Sequence, residues 1–237
     1  MPPKRFFVDN ISEEVALSGD EFDHAKTVLR LGVGDEVTLL DGSGKEYTAI
    51  IAKAEKKSYL LHVTGERVSD KEPVHEVYLL VGALKGDKTE LVVQKATELG
   101  VGKIGVFSSR YCAAYMNDNK LDRINRVAHE AAKQCLRAKA PKVVYFENFE
   151  DAMRSAEEYK TKLFACEFAT ESEFGLEKTE SPAALVVGSE GGFTEEEFAL
   201  AKSMGFYGMT LGKRILRAET AAISFLSVVM YELGELK

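Results

Sequence analysis

Two stretches of this chain combine residue types and spacing that can do chemistry. The first reads Leu185-Val186-Val187-Gly188-Ser189-Glu190-Gly191-Gly192-Phe193-Thr194. An apolar run enters a glycine loop, and the loop opens a helix. Glycine permits positive φ and lets backbone approach a ligand closely. A phosphate cradle fits poorly, because no Gly-Lys-Ser/Thr ending follows. Instead the helix opens with Thr194, Glu195, Glu196 and Glu197. Thr194 and Glu197 have the spacing of a capping box, and carboxylates in the first turn would repel a phosphate from the positive helix end. The loop suits a neutral or cationic ligand; the plain alternative is a tight strand-to-helix turn. The second stretch reads Leu211-Gly212-Lys213-Arg214-Ile215-Leu216-Arg217-Ala218-Glu219-Thr220-Ala221-Ala222. A strand ends in glycine, a cationic loop follows, and then comes a helix apolar nearly all round (Ile223, Phe225, Leu226, Val228, Val229, Met230, Tyr231). Such a helix belongs in a core or against a partner subunit. Arg217, Glu219 and Thr220 at its start are either functional or an ion pair with a cap.

A third feature is charge. The net charge of −7 argues against a chain that binds nucleic acid through bulk charge. Yet residues 103–142 carry nine Lys/Arg against three acids, a local balance of +6, whereas residues 143–204 stand at −9. Such asymmetry points to a local anionic partner. On a helical wheel Arg123, Arg126, Lys133 and Arg137 fall within an arc of about 80°, opposite an apolar wall, and could track a phosphate backbone. Glu130 interrupts that stripe, and a merely solvated face is the alternative.

The elements that must position these residues follow from pattern. Residues 1–72 read as all-β, with strands over 5–8, 36–40, 47–52 and 59–63, a helical turn or two over 20–29, and glycine turns between. Short strands of this kind suggest a small barrel. Ser69-Asp70-Lys71-Glu72-Pro73 reads as a linker. From Val74 on, strands and helices alternate: strands over 76–83, 103–108, 143–146, 162–166, 183–187 and 207–210, with helices over 88–99, 120–139, 148–159, 194–204 and 218–233. This is the signature of an α/β domain with a mainly parallel sheet. Gly100, Gly102 and Gly105 follow a helix rather than a strand, so they are no dinucleotide fingerprint; Gly100 reads as a helix C-cap. Cys112, Cys135 and Cys166 lack metal-ligand spacing and read as reduced thiols. No metal is expected. No window reaches the roughly 20 apolar residues of a membrane span, and nothing resembles a signal peptide. The expected location is the cytoplasm.

Together the two C-terminal motifs resemble those of the bacterial 16S ribosomal RNA (uracil-N3)-methyltransferases, the RsmE family of the SPOUT superfamily. The resemblance covers essentially the whole chain. Gln94-Lys95-Ala96-Thr97-Glu98-Leu99-Gly100-Val101 is similar to the family's first catalytic-domain helix, and Gln134-Cys135 with Arg137 and Pro141 to the end of its basic helix. Arg5-Phe6-Phe7, His24, Leu29-Arg30, Gly34-Asp35 and Asp41-Gly42 resemble its N-terminal barrel. The family usually has proline at position 189, glycine at 136 and an acid at 109, where this chain has Ser189, Leu136 and Ser109.

The resemblance implies a PUA-like RNA-binding β-barrel over 1–72, then a SPOUT α/β methyltransferase domain over 73–237 with a C-terminal trefoil knot. It implies an obligate homodimer, S-adenosylmethionine as cofactor, and 16S rRNA in the small ribosomal subunit as partner. The knot comes from the resemblance alone, since threading is nearly absent from folds. Carried over, Leu163 and Glu167 line one wall of the cofactor pocket, Gly188 and Gly191 a second, and Leu211, Gly212, Ile215, Leu216, Arg217, Thr220 and Ala221 a third. Arg217 would stabilise charge developing on a uracil oxygen. Glu219, or failing it Glu98, would accept the N3 proton. Expected RNA contacts are Arg5, Arg30, Arg110, Arg123, Arg126, Lys133 and Arg137. No cysteine has a base partner, which disfavours methylation at carbon 5. The rival expectations are another SPOUT target, such as a ribose 2′-oxygen, and a non-catalytic RNA-binding factor.

Overall fold

A computed structural model of the protein describes residues 4–237. The described chain forms two compact units, one from residues up to Glu72 together with His129–Ala140, the other from Pro73–Ala128 and Pro141–Lys237.

The first unit is built on five strands, β1 (Arg5–Phe7), β2 (Glu14–Ser18), β3 (Glu36–Leu40), β4 (Lys45–Ala54) and β5 (Ser58–Val68). Their order is β1-β3-β4-β5-β2. β1 pairs parallel with β3, and the other pairings are antiparallel. Register shifts at Thr48/Ala49 and Ile51/Lys53 bend the long strands, as bulges do. The sheet curls around Phe6, Leu17, Leu39, Ile51 and Leu61, all 2% exposed or less. β1 and β2 remain its two edges, so it is a half-barrel. β2 is the strand not placed from sequence, although Val15 and Leu17 alternate inward between exposed neighbours. The expected helix over 20–29 is a short α1 (Gly19–Asp23) followed by one π-turn (His24–Val28).

At the end of this unit the sequence and the structure part. The basic helix, α3 (Asp118–Gln134), stops five residues before the expected 139. Leu136 then takes φ 67°, a left-handed conformation that costs a non-glycine residue roughly 1–2 kcal/mol. That is where the family usually has glycine. Arg137 therefore lies beyond the helix and off the predicted stripe. It is 4% exposed, and its guanidinium donates to Glu72 Oε2 at 3.1 Å. Lys133, 5% exposed, donates to both oxygens of Glu21.

Arg5 is likewise internal. Its Nη2 donates to Glu46 Oε1 at 2.9 Å and to the Leu136 carbonyl at 3.2 Å. Glu46, only 4% exposed, also accepts from Arg67 and Ser69. Burial alone would raise its pKa, but the Arg5, Arg67 and Ser69 hydrogen bonds outweigh that and bring it down to about 2. A depressed carboxylate pKa gives stability that is complete above the unfolded value near 4.5 and lost as pH falls toward about 2. We expect Glu46→Gln, which leaves Arg5 buried without its counter-charge, to cost about 3–5 kcal/mol. Urea titration at pH 7 checks this. At pH 2 the gap between the two proteins should nearly close, and an equal gap at both pH values would refute the assignment.

The second unit is a six-stranded sheet of β6 (Val77–Gly82), β7 (Lys103–Phe107), β8 (Lys142–Phe146), β9 (Thr161–Ala165), β10 (Ala183–Val187) and β11 (Tyr207–Met209), ordered β11-β9-β10-β6-β7-β8. All its pairings are parallel. One face packs on α2 (Lys88–Glu98), the first part of α3, and α6 (Ala218–Glu232), through Leu79, Val81, Leu185, Val92, Phe225 and Leu226. The other face packs on α4 (Phe149–Arg154) and α5 (Glu195–Ser203), through Tyr78, Phe107, Phe164, Phe149, Ala201 and Phe193. Coverage of both faces explains why β6 and β10 are apolar without alternation.

Candidate active site

β11, β9 and β10 are neighbours in the sheet, and all three run in one direction. Their following loops, 166–170, 188–193 and 210–217, therefore emerge at the same edge, where ligands of parallel α/β sheets bind. Together they line a cleft of about 780 Å³.

The glycine loop is tight for reasons that neighbouring atoms make specific. The Gly192 N–H donates to the Ser189 carbonyl at 3.0 Å, closing the turn. A Cβ on Gly188 would sit 2.8 Å from the Phe193 ring, which is locked among Phe107, Phe149 and Phe164. A Cβ on Gly191 would sit 2.5 Å from the Tyr111 carbonyl oxygen, and one on Gly192 would strike the Glu167 carboxylate. From below, a Cβ on Gly82 would sit 2.5 Å from Ser189 N. At Gly188 and Gly191 the wall is therefore backbone, because a Cβ would meet a locked ring or another backbone segment. The helix beyond it has the expected capping box, Thr194 accepting from Glu197 N–H while the Glu197 carboxylate accepts from Thr194 N–H.

Of the residues expected to hold a cofactor, Glu167, Gly188, Gly191, Leu211, Gly212, Ile215, Leu216, Arg217 and Ala221 line the cleft. Leu163 does not: it is fully buried in the core, in the middle of β9, and the strand's last residue Ala165 lines the cleft instead. Thr220 does not either. Ala218 and Ala221 share the cleft-facing side of α6, and a residue two or one positions away points elsewhere on a helix.

Arg217 is the N-cap of α6, exposed on the cleft wall. Glu219 is mostly buried and, unlike Arg217, does not line the cleft. Its Oε2 has no hydrogen-bond partner, and the Lys88 ammonium lies 3.8 Å away. Lys88 also donates to Glu190 Oε1 at 3.2 Å, and that oxygen accepts from Lys85 N–H. For Glu190, burial works against ionisation, but these donors prevail and hold the carboxyl below its ordinary value. Glu98 is held by Lys95 through both oxygens, at 2.8 and 2.9 Å. Cys166 lines the cleft, and burial pushes its thiol above the ordinary value, the wrong direction for a nucleophile.

Among the expected RNA contacts, Arg30, Arg110, Arg123 and Arg126 are exposed. Arg123 pairs with Glu90 at 2.9 Å. Arg5, Lys133 and Arg137 are corrected: each is buried against an acid and so is not offered to a phosphate. Sequence reasoning missed Lys88, Gly82 and Tyr111. Only Lys88 left a signal, as a cation in the first turn of a helix, where the dipole disfavours it. Among the described residues no group of His, Cys, Asp and Glu could hold a metal ion, and no helix is long and apolar enough to cross a membrane.

Comparison with known proteins agrees with this geometry. The RNA methyltransferase domain family matches residues 70–230, and the RNA methyltransferase PUA domain family matches residues 17–64. The ribosomal RNA small subunit methyltransferase E of Mesomycoplasma hyopneumoniae is 30% identical, over 94% of this chain and 97% of that protein. The enzyme of that name from Neisseria gonorrhoeae, solved with S-adenosylmethionine bound, superposes with a TM-score of 0.86 at 29% identity, covering 97% of each chain. A Legionella pneumophila structure with the same cofactor bound gives 0.88 at 28% identity, covering 98% of each chain. With the glycine loop, the cationic loop and the α/β scaffold all in their expected places, the chain belongs to the ribosomal RNA small subunit methyltransferase E family of RNA methyltransferases.

Proposed function

We propose that this protein methylates N3 of a specific uridine in 16S rRNA, with S-adenosylmethionine as methyl donor and the small ribosomal subunit as substrate. The observation that carries the reading is the cleft between the loops after β9, β10 and β11, where at Gly188 and Gly191 the wall is backbone because a Cβ has no room. The residues present fit the cofactor. The wall offers backbone and apolar contacts from Leu211, Leu216 and Ala221, a carboxylate at Glu167, and no built phosphate cradle. Glu167 suits the cationic end of the ligand.

S-adenosylmethionine supplies a methyl on a sulfonium, which transfers to an attacking nitrogen while the bond electrons return to sulfur. The protein's part is to orient, exclude water and manage one proton. N3 lies on the pairing edge, so the base must be unpaired or flipped out. As the N3 proton leaves, charge develops on the flanking carbonyl oxygens, and the Arg217 guanidinium, which lines the cleft, stabilises it. Glu219, mostly buried and off the cleft wall, accepts the proton through water; Glu98, already held through both oxygens, suits that task less well. The raised thiol of Cys166 disfavours a cysteine-dependent route to carbon 5.

The proposal extends to the trefoil knot through the cleft loops, to a division near residue 72 between an RNA-gripping PUA-like domain and the SPOUT domain, and to a cytoplasmic homodimer. Support for the homodimer is the apolar α6, which leaves Val228 43% and Tyr231 51% exposed. Arg30, Arg110, Arg123 and Arg126 are the proposed phosphate contacts.

The test is to incubate the protein with methyl-labelled S-adenosylmethionine and small subunits lacking the modification, digest the RNA, and identify the labelled nucleoside by mass spectrometry. N3-methyluridine is expected. Label in another nucleoside would move the target, and no cofactor binding at tens of micromolar, roughly 6 kcal/mol, would overturn the enzyme reading.

A further inference from the structure

Deprotonated uracil shares its charge between two oxygens, O2 and O4, one on each side of N3. A single cation can serve one of them. The cleft wall carries a second cation besides the α6 loop: Lys88, the first residue of α2. Its position is unfavourable for the helix, since the positive end of the dipole repels an ammonium. It is nevertheless held there. Glu190 of the glycine loop accepts from it at 3.2 Å, and Glu219 of α6 lies 3.8 Å away with Oε2 buried and without a hydrogen bond. Carboxylates from two separate elements thus converge on one ammonium. The side chain is still 31% exposed in the cleft, so at least part of it remains available to a ligand. Neither carboxylate surrounds it, and an ammonium has three donors.

We infer that Lys88 is a catalytic residue that donates to one uracil carbonyl oxygen while Arg217 serves the other, with Glu190 positioning its ammonium. This inference rests on the uracil-N3 reading above. When the N3–H bond breaks, the electron pair stays on the imide, spread over O2, N3 and O4, and the proton passes to the acceptor. Two cations bracketing the imide would hold that charge in the plane of the base, leaving the N3 lone pair free to attack the methyl carbon. The arrangement also discriminates. Cytosine has an amino group in place of O4, and that group would face a cation it cannot accept from.

The test compares wild type, Lys88→Met and Lys88→Arg on small subunits reconstituted with transcripts carrying either uridine or 5-fluorouridine. Fluorine withdraws electrons and makes the N3 proton more acidic, so that substrate depends less on the protein to hold the charge. With uridine, Lys88→Met should lower single-turnover kcat about 100-fold, near the lower end for removing one such donor, with little change in the Kd for S-adenosylmethionine. Lys88→Arg should recover part of that loss. With 5-fluorouridine the deficit of Lys88→Met should shrink several-fold. An equal deficit on both substrates would mean that Lys88 only braces the loops. A deficit seen in cofactor Kd rather than kcat would make it a cofactor contact, and either result overturns the inference. Wild type that forms no N3-methyluridine would overturn the underlying reading, which is a separate outcome from a wild type that is active and a Lys88→Met variant that is equally so.

Discussion

Gly191→Val should weaken cofactor binding at least about 100-fold while leaving the fold intact. A single Cβ at this position would already stand 2.5 Å from the Tyr111 carbonyl oxygen and 2.7 Å from Tyr111 Cβ. The first of these is backbone, which cannot swing aside as the end of a flexible side chain can. Valine adds two further methyls, so the glycine loop, which lines the cleft, must shift relative to the segment around Tyr111. A shift of this kind removes backbone contacts from the ligand wall. We expect the Kd for S-adenosylmethionine to rise at least about 100-fold, equivalent to about 2.8 kcal/mol. Gly191 itself is exposed, so the thermal midpoint should move little. Isothermal titration calorimetry and a melting curve separate the two effects. Gly212→Ala is the informative control. Gly212 has φ 99° and nothing within 4 Å of an added Cβ, so that change strains the loop without pushing another segment aside and should weaken binding less. Unaltered affinity in Gly191→Val would remove the glycine wall from the cofactor site.

Arg217→Ala should fall in kcat by about 1000-fold, at the upper end for loss of a charge-stabilising donor. The larger effect relative to Lys88 follows from the guanidinium's planar fork, which offers several donors in a fixed geometry. Because the proposed interaction strengthens only as the imide charge develops, the loss should appear equally in kcat and kcat/KM, with KM for the RNA little changed. Arg217→Lys should recover only part of the rate, since a point charge cannot reproduce the fork. Single-turnover kinetics with saturating cofactor measures this. Normal turnover in Arg217→Ala would sink its proposed role, and a rise in KM alone would make it a binding residue.

How much was legible beforehand can be judged from particular residues. The alternation of strands and helices after Val74 was plain, because burial on both sheet faces leaves strands almost wholly apolar and glycines mark the loops between. The capping box was legible for the same local reason: Thr194 and Glu197 are three residues apart, and their bonds depend on nothing distant. The basic stripe was not. Its geometry assumed that the helix continued, and Gln134 ends it before Arg137 is reached. Lys133, which stays on the helix, is buried because Glu21 meets it, 112 residues away in sequence. Arg5 is withdrawn from any phosphate by Glu46. Leu163 illustrates the limit in one strand. It and Ala165 point to the same side of β9, yet only the residue at the strand's end reaches the cleft.

By itself the sequence determined what is periodic or local: which segments are strands and helices, where glycine loops interrupt them, and which family they compose. Tertiary structure alone decided which charges are spent internally and which face the cleft. An ion pair joins residues whose separation along the chain carries no information about their distance, so Lys88 and Glu219, 131 positions apart, became neighbours only when the sheet was assembled.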